Sequence, residues 1–117
     1  MELKEVYEKI GGDYDDVVRR LMGEELVRKF LLKFLDDKSY ADLERTLSEG
    51  DYKEAFRAAH TLKGVCLNLG FTELYKVSAE LTEVLRGRET AGSDELYAQV
   101  KEQYTTLTDA IRELASN

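Results

Sequence analysis

Proline is absent from this chain, cysteine and histidine each occur once, and no apolar run comes near the length of a membrane span. Each shortage excludes something. Without proline nothing need interrupt a helix, and with 35% of residues charged the composition favours long helices over sheets and proline-rich linkers. One cysteine rules out an internal disulfide and suits a reducing compartment. Cys66 stands among apolar residues and reads as a small core residue. A helix that crosses a membrane needs ~18 or more apolar residues, and Met1-Glu2-Leu3-Lys4-Glu5 lacks the apolar stretch of a signal peptide. A cytoplasmic protein with no membrane contact is therefore expected. Positive charge is scarce as well: 17 Lys and Arg against 24 Asp and Glu leave a net charge of -7. That balance argues against nucleic-acid or anionic-membrane binding. The 117 residues suit one domain with a single modest core, spanning 1–117.

What is present is helical periodicity. Leu3, Val6, Tyr7 and Ile10 make a short first helix that Gly11-Gly12 ends. Asp13 is a suitable N-cap for a second short helix with Val17, Val18 and Leu21. The nearby acids Asp15 and Asp16 lack calcium-loop spacing, so capping is the better account of the cluster. After Gly23 comes a wide apolar stripe, Leu26, Val27, Phe30, Leu31, Phe34 and Leu35. Asp36-Asp37-Lys38 marks a bend or break, after which Tyr40, Leu43 and Leu47 resume the period. Asp51, with Glu54 three residues on, has the spacing of a capping box for the next helix, which Gly70 closes. Leu74, Val77, Leu81, Val84 and Leu85 follow after a tight turn, so these two helices are antiparallel neighbours. Gly87 to Ser93 is the loosest connection. The last helix carries Leu96, Val100, Tyr104, Leu107, Ile111 and Leu114. The pattern predicts an all-α protein, an antiparallel four-helix bundle over about 23–115 with one or two short extra N-terminal helices.

The one histidine lies on the helix that starts after Asp51. Wound at ~100° per residue, that helix gathers Ala55, Ala58, Ala59, Leu62, Val65, Cys66 and Leu69 on the side away from His60. Lys53, Phe56, Arg57, Lys63, Gly64 and Leu67 share the His60 side. The imidazole therefore points out of the core. Lys63 and Gly64, three and four residues on, are its nearest same-face neighbours. A glycine inside a helix costs about 1 kcal/mol relative to alanine. Open space beside the imidazole, enough for a phosphoryl group and an approaching partner, is a reason to carry it. An ammonium at Lys63 could offset the charge that such a group brings.

His60-Thr61-Leu62-Lys63-Gly64, followed by Leu69-Gly70, resembles the motif of histidine phosphotransfer (HPt) domains, the four-helix-bundle phosphocarriers of multistep two-component relays. Arg20-Leu21, Glu25-Leu26, Phe30-Leu31 and Phe34-Leu35 look like that family's first long helix, and Gly50-Asp51 and Leu81 also fit. The likeness covers about residues 14–88 well and the remainder loosely. It implies that His60 accepts a phosphoryl group from a receiver-domain aspartate and passes it to another receiver. Lys63 would neutralise phosphate charge and Gly64 would give steric access, with Arg57 and Thr82 as supporting polar groups. Thr82, with Ser78, belongs to the next helix, from which the family often steadies its histidine; Arg86 is a further cation there. Phe56, Leu67, Lys53 and Asn68 would form the partner-binding surface.

The implied partners are response-regulator receiver domains and a sensor or hybrid histidine kinase. Mg²⁺ would sit on the receiver, with no cofactor on this chain. In keeping with this, no Gly-x-Gly-x-x-Gly or Gly-Lys-Ser/Thr phosphate loop is present, so neither ATP binding nor self-phosphorylation is expected. The chain would be a shuttle rather than an enzyme, and a monomer. Two readings of other kinds stay open. One is a non-catalytic helical adaptor with an incidental His60. The other is the phosphoacceptor domain of a larger hybrid or chemotaxis-type kinase. A metal-binding bundle would need several inward histidines and Glu-x-x-His pairs, whereas Arg57 stands three residues before the single histidine.

Overall fold

The computed structural model describes residues 1–87 and 92–116, and every regular element among them is an α-helix. These are α1 (Leu3–Ile10), α2 (Tyr14–Arg20), α3 (Glu24–Phe34), α4 (Ser39–Ser48), α5 (Tyr52–Leu69), α6 (Thr72–Arg86) and α7 (Ser93–Ala115). Residues 88–91, in the connection expected to be loosest, lie outside the described residues. α5 packs between α4 and α6, and α6 between α5 and α7; α3 reaches α7 and α5. The broken pair α3–α4 thus serves as the first helix of an antiparallel four-helix bundle. Both expected N-terminal helices are present.

The break falls where the acidic run stood. The N–H groups of Asp36 and Asp37 bond back to the Lys33 and Phe34 carbonyls at 3.0 Å each, which ends α3 in a tight turn. The Asp37 carboxylate then accepts from the Ser39 N–H at 2.8 Å and opens α4. Asp13 caps α2 through Asp16 N–H, as expected. Asp51 caps α5 through Glu54 N–H at 3.2 Å. The Glu54 carboxylate instead faces Arg57 at 3.4 Å.

One buried cluster joins all seven helices. It takes Tyr7 from α1, Val17 from α2, Leu31 from α3, Leu43 from α4, Leu62 and Cys66 from α5, Leu81 from α6 and Leu107 and Ile111 from α7. Side chains of this size each contribute roughly 1.5–3 kcal/mol on full burial. In α6 the buried stripe is Leu74, Ser78, Leu81, Thr82 and Leu85, while Val77 and Val84 are half-buried. Two hydroxyl residues therefore occupy core positions that a search for apolar residues passes over.

The N-terminal helices hold one end of α5. Tyr7 donates its buried hydroxyl to the Leu69 carbonyl at 2.6 Å, and the Asp13 N–H donates to the Gly70 carbonyl at 3.0 Å. Arg20 donates to the Asn68 carbonyl at 3.1 Å, while Asp16 holds the same guanidinium at 2.7 Å. α5 has no basic residue of its own in its last turn, and Arg20 supplies that charge from α2. Gly70 has φ +73°, and a Cβ there would lie 3.2 Å from Val17 Cβ and 3.3 Å from the Asp13 carbonyl oxygen. Only glycine fits both the left-handed conformation and the close approach.

Seven rings form a continuous chain through the bundle, in the order Tyr97, Tyr40, Tyr104, Phe34, Phe71, Tyr7 and Tyr14. Successive centroids lie 6.2, 3.9, 5.9, 5.2, 6.0 and 6.1 Å apart.

Candidate functional site

α5 turns small residues inward: Ala55, Ala58 and Ala59 are buried with Leu62, Cys66 and Leu69. Alanines let α4 and α6 approach closely, so the opposite face of α5 stands up between its neighbours. Burial pushes the Cys66 thiol above its ordinary range, which keeps it protonated and unreactive. On the outer face His60, Lys53, Arg57, Leu67 and Asn68 are exposed, and Phe56, Lys63 and Gly64 are half-buried.

The His60 ring lies 5.9 Å from the Phe56 ring at 53°. Phe56 also packs against the core, so it is a ledge under the imidazole rather than the exposed docking residue expected. The space above Gly64 is open: a Cβ there would meet nothing within 4 Å. The missing side chain one turn past His60 is therefore not required by packing. Lys63 makes no ion pair among the described residues, which leaves its ammonium uncommitted on the same face.

Two residues of α6 complete the surroundings. Arg86 places its guanidinium carbon 5.1 Å from the centroid of the Phe56 ring. The same guanidinium donates to both Glu83 carboxylate oxygens, at 3.0 and 3.2 Å. The Arg86 hydrogen bonds hold the Glu83 carboxyl below the usual carboxylate range, and the neighbouring Lys63 and His60 side chains add to that effect. Glu83 thus belongs to the electrostatic neighbourhood of the histidine. Sequence reasoning noted Arg86 only as a further cation and missed Glu83. The signal was there in the register: the turn at Gly70 sets residues just past 80 opposite position 60.

Thr82 corrects an expectation. It is buried, and its hydroxyl donates to the Ser78 carbonyl at 2.7 Å inside α6. With that hydroxyl spent inside its own helix, Thr82 has no hydrogen bond to the imidazole. Ser78 is buried too. Arg57 is not brought onto His60: its guanidinium pairs with Glu54, and its carbonyl accepts from Thr61. Leu67 is 58% exposed, beside the Asn68 backbone that Arg20 holds. A separate apolar groove of about 390 Å³, lined by Arg20, Leu21, Phe30, Val65, Asn68 and Leu69, opens on the side of α5 that carries Val65 and Leu69 rather than His60.

Among the described residues no three His, Cys, Asp or Glu side chains converge to hold a metal ion, and no helix is long and apolar enough to cross a membrane. The arrangement is an accessible nucleophilic nitrogen with an uncommitted ammonium, a second cation within one aromatic ring of it, and a gap for an incoming group.

Comparison with known proteins identifies a family. The Hpt domain family model matches residues 25–115. The sensory/regulatory protein RpfC of Xanthomonas campestris pv. campestris, from strain ATCC 33913 and from strain 8004, is 31% identical over 104 residues in each case. The alignment takes in 74% of this chain and only 14% of RpfC. No solved structure matches the chain.

Proposed function

This chain belongs to the Hpt domain family, and from that membership we propose that it is a phosphocarrier whose His60 takes a phosphoryl group from a receiver-domain aspartate and hands it to another receiver. The observation that supports the reading most is the open space at Gly64 beside an exposed His60 and an unpaired Lys63. A neutral imidazole nitrogen, with its lone pair free, is a good nucleophile. Its ring nitrogen attacks the phosphorus of the aspartyl phosphate. The N–P bond forms as the P–O bond to the aspartate breaks, and the carboxylate leaves with the bonding pair. The other ring nitrogen releases its proton to solvent, and transfer onward runs the same steps in reverse.

In-line phosphoryl transfer asks a protein chiefly for positioning and charge neutralisation. Phe56 positions the ring from below, and Lys63 meets the phosphoryl charge. The receiver supplies the aspartate and Mg²⁺, and this chain carries no cofactor. A sensor or hybrid histidine kinase stands upstream. Leu67 is the centre of the surface a receiver covers, with Lys53 and Asn68 at its edge. A second arrangement of the same chemistry is supported by the RpfC alignment. There the matching segment is a small part of a longer sensory/regulatory protein, so the domain would act beside its own signalling partners.

The test is a transfer assay against receiver domains pre-phosphorylated by a small phosphodonor with Mg²⁺ present. Acid-labile, base-stable phosphate is expected on the wild type and not on His60→Ala, with both folds checked by circular dichroism. Label retained by His60→Ala, or no label on the wild type from any receiver, would overturn the proposal.

A further inference from the structure

We propose that Glu83 is a built-in competitor for the phosphoryl group, holding Arg86 in the resting state and yielding it when His60 is phosphorylated. This inference rests on the phosphocarrier reading and adds a positioning residue to it. In the resting protein Arg86 sets two of its five N–H donors on the two Glu83 oxygens and its face over the Phe56 ring. The far neighbour of that same ring is His60. Arg86 and the imidazole therefore share one ledge, and a rotation of the long arginine side chain over Phe56 carries the guanidinium toward the histidine without disturbing the core.

A phosphoryl group on His60 brings about two negative charges and three acceptor oxygens into this space. A guanidinium forks onto such a group as readily as onto a carboxylate. The Glu83–Arg86 pair is exposed at both ends, with side chains 61% and 54% accessible, so little holds it together against a more highly charged competitor. Glu83 carries a full negative charge at neutral pH, and its field acts on Lys63 and His60 as well as on Arg86. The consequence is a tuned lifetime. Arg86 on the phosphoryl group stabilises the resting phosphohistidine more than its transfer, which Lys63 serves, so each time Glu83 regains Arg86 the group becomes easier to give up. With a receiver it passes to aspartate. With water the N–P bond breaks, its electron pair returns to the ring nitrogen, that nitrogen takes a proton from water, and the hydroxyl joins phosphorus as inorganic phosphate.

The experiment labels wild type, Glu83→Gln, Arg86→Gln and the double variant on His60 with phosphoramidate, then follows loss of label in buffer and the label shared at equilibrium with one receiver domain. Glu83→Gln should lengthen the phosphohistidine half-life about five-fold, the scale of one exposed ion pair. Arg86→Gln should shorten it. In the Arg86→Gln background the Glu83→Gln change should shrink to the smaller direct effect of the Glu83 field, because Glu83 acts chiefly through Arg86. An unchanged half-life in Glu83→Gln, or an equal effect in both backgrounds, would overturn the competitor role and leave the phosphocarrier standing. A wild type that takes no label from phosphoramidate or any receiver would overturn both.

Discussion

At position 64 a methyl group would touch nothing, and yet the residue is glycine in the middle of an eighteen-residue helix. Helix propensity alone says that alanine belongs there. Gly64→Ala should therefore raise stability by about 1 kcal/mol in urea unfolding while slowing uptake of phosphate by His60. A variant that is more stable and equally fast would show that the gap serves nothing on the histidine. Leu67 and Phe56, paired by the sequence as docking residues, part company at this scale. Leu67→Ala removes an exposed side chain and should weaken receiver binding by about 1 kcal/mol in calorimetry, with the melting temperature unchanged. Phe56→Ala would cost stability as well, since that ring packs on the core and carries Arg86. The facing of His60, Lys63 and Gly64 was legible because helical spacing alone decides it. The burial of Thr82 was not. It depends on how α6 is rotated against its neighbours, and Ser78 and Thr82 look polar in sequence while filling core positions.

Among the elements, α5 depends for its end on helices far away in sequence. Its last carbonyls are met by Tyr7, Asp13 and Arg20, all from residues that precede the matched family segment. α7 ends in a similar way, with Arg28 of α3 donating to the Leu114 carbonyl at 3.2 Å. Tyr7→Phe keeps the ring and loses one buried hydrogen bond, at a cost of about 1 kcal/mol. Arg20→Ala leaves the Leu67 and Asn68 carbonyls to water and removes a charge from the helix terminus, again about 1 kcal/mol. Because both act on one helix end, urea unfolding of the double variant should show a loss different from the sum of the singles. Agreement within a few tenths of a kcal/mol would mean two separate contacts rather than one clamp. The helices themselves were legible from their periods, and so was the α3–α4 break at Asp36-Asp37-Lys38. The clamp was not, since nothing local to Tyr7 or Arg20 reveals a partner about 50 or 60 residues on.

Over the whole molecule, burial raises the pKa of Tyr7, Tyr40, Tyr97 and Tyr104 above the ordinary tyrosine value. The sign follows from proton counting. Above pH ~10 the unfolded chain loses phenolic protons that the folded chain keeps, so stability is full below that pH and falls as pH rises past it. Urea midpoints measured from pH 8 upward should hold steady and then decline, and Tyr7→Phe should flatten part of the decline. A flat profile through pH 11 would contradict the burial of these hydroxyls. The same rings have an optical consequence. The chain has no tryptophan, so its near-ultraviolet circular dichroism is the signal of tyrosines and phenylalanines held in fixed asymmetric surroundings. Rings from α1, α2, α3, α4 and α7, with Phe71 at the start of α6, form one linked chromophore array, and α5 contributes none of them. The array reads out the scaffold and is nearly blind to the histidine face. Chemistry at His60 should leave the array's tyrosine bands in place while loosening of the bundle erases them, so one cuvette can tell a modified molecule from a melted one.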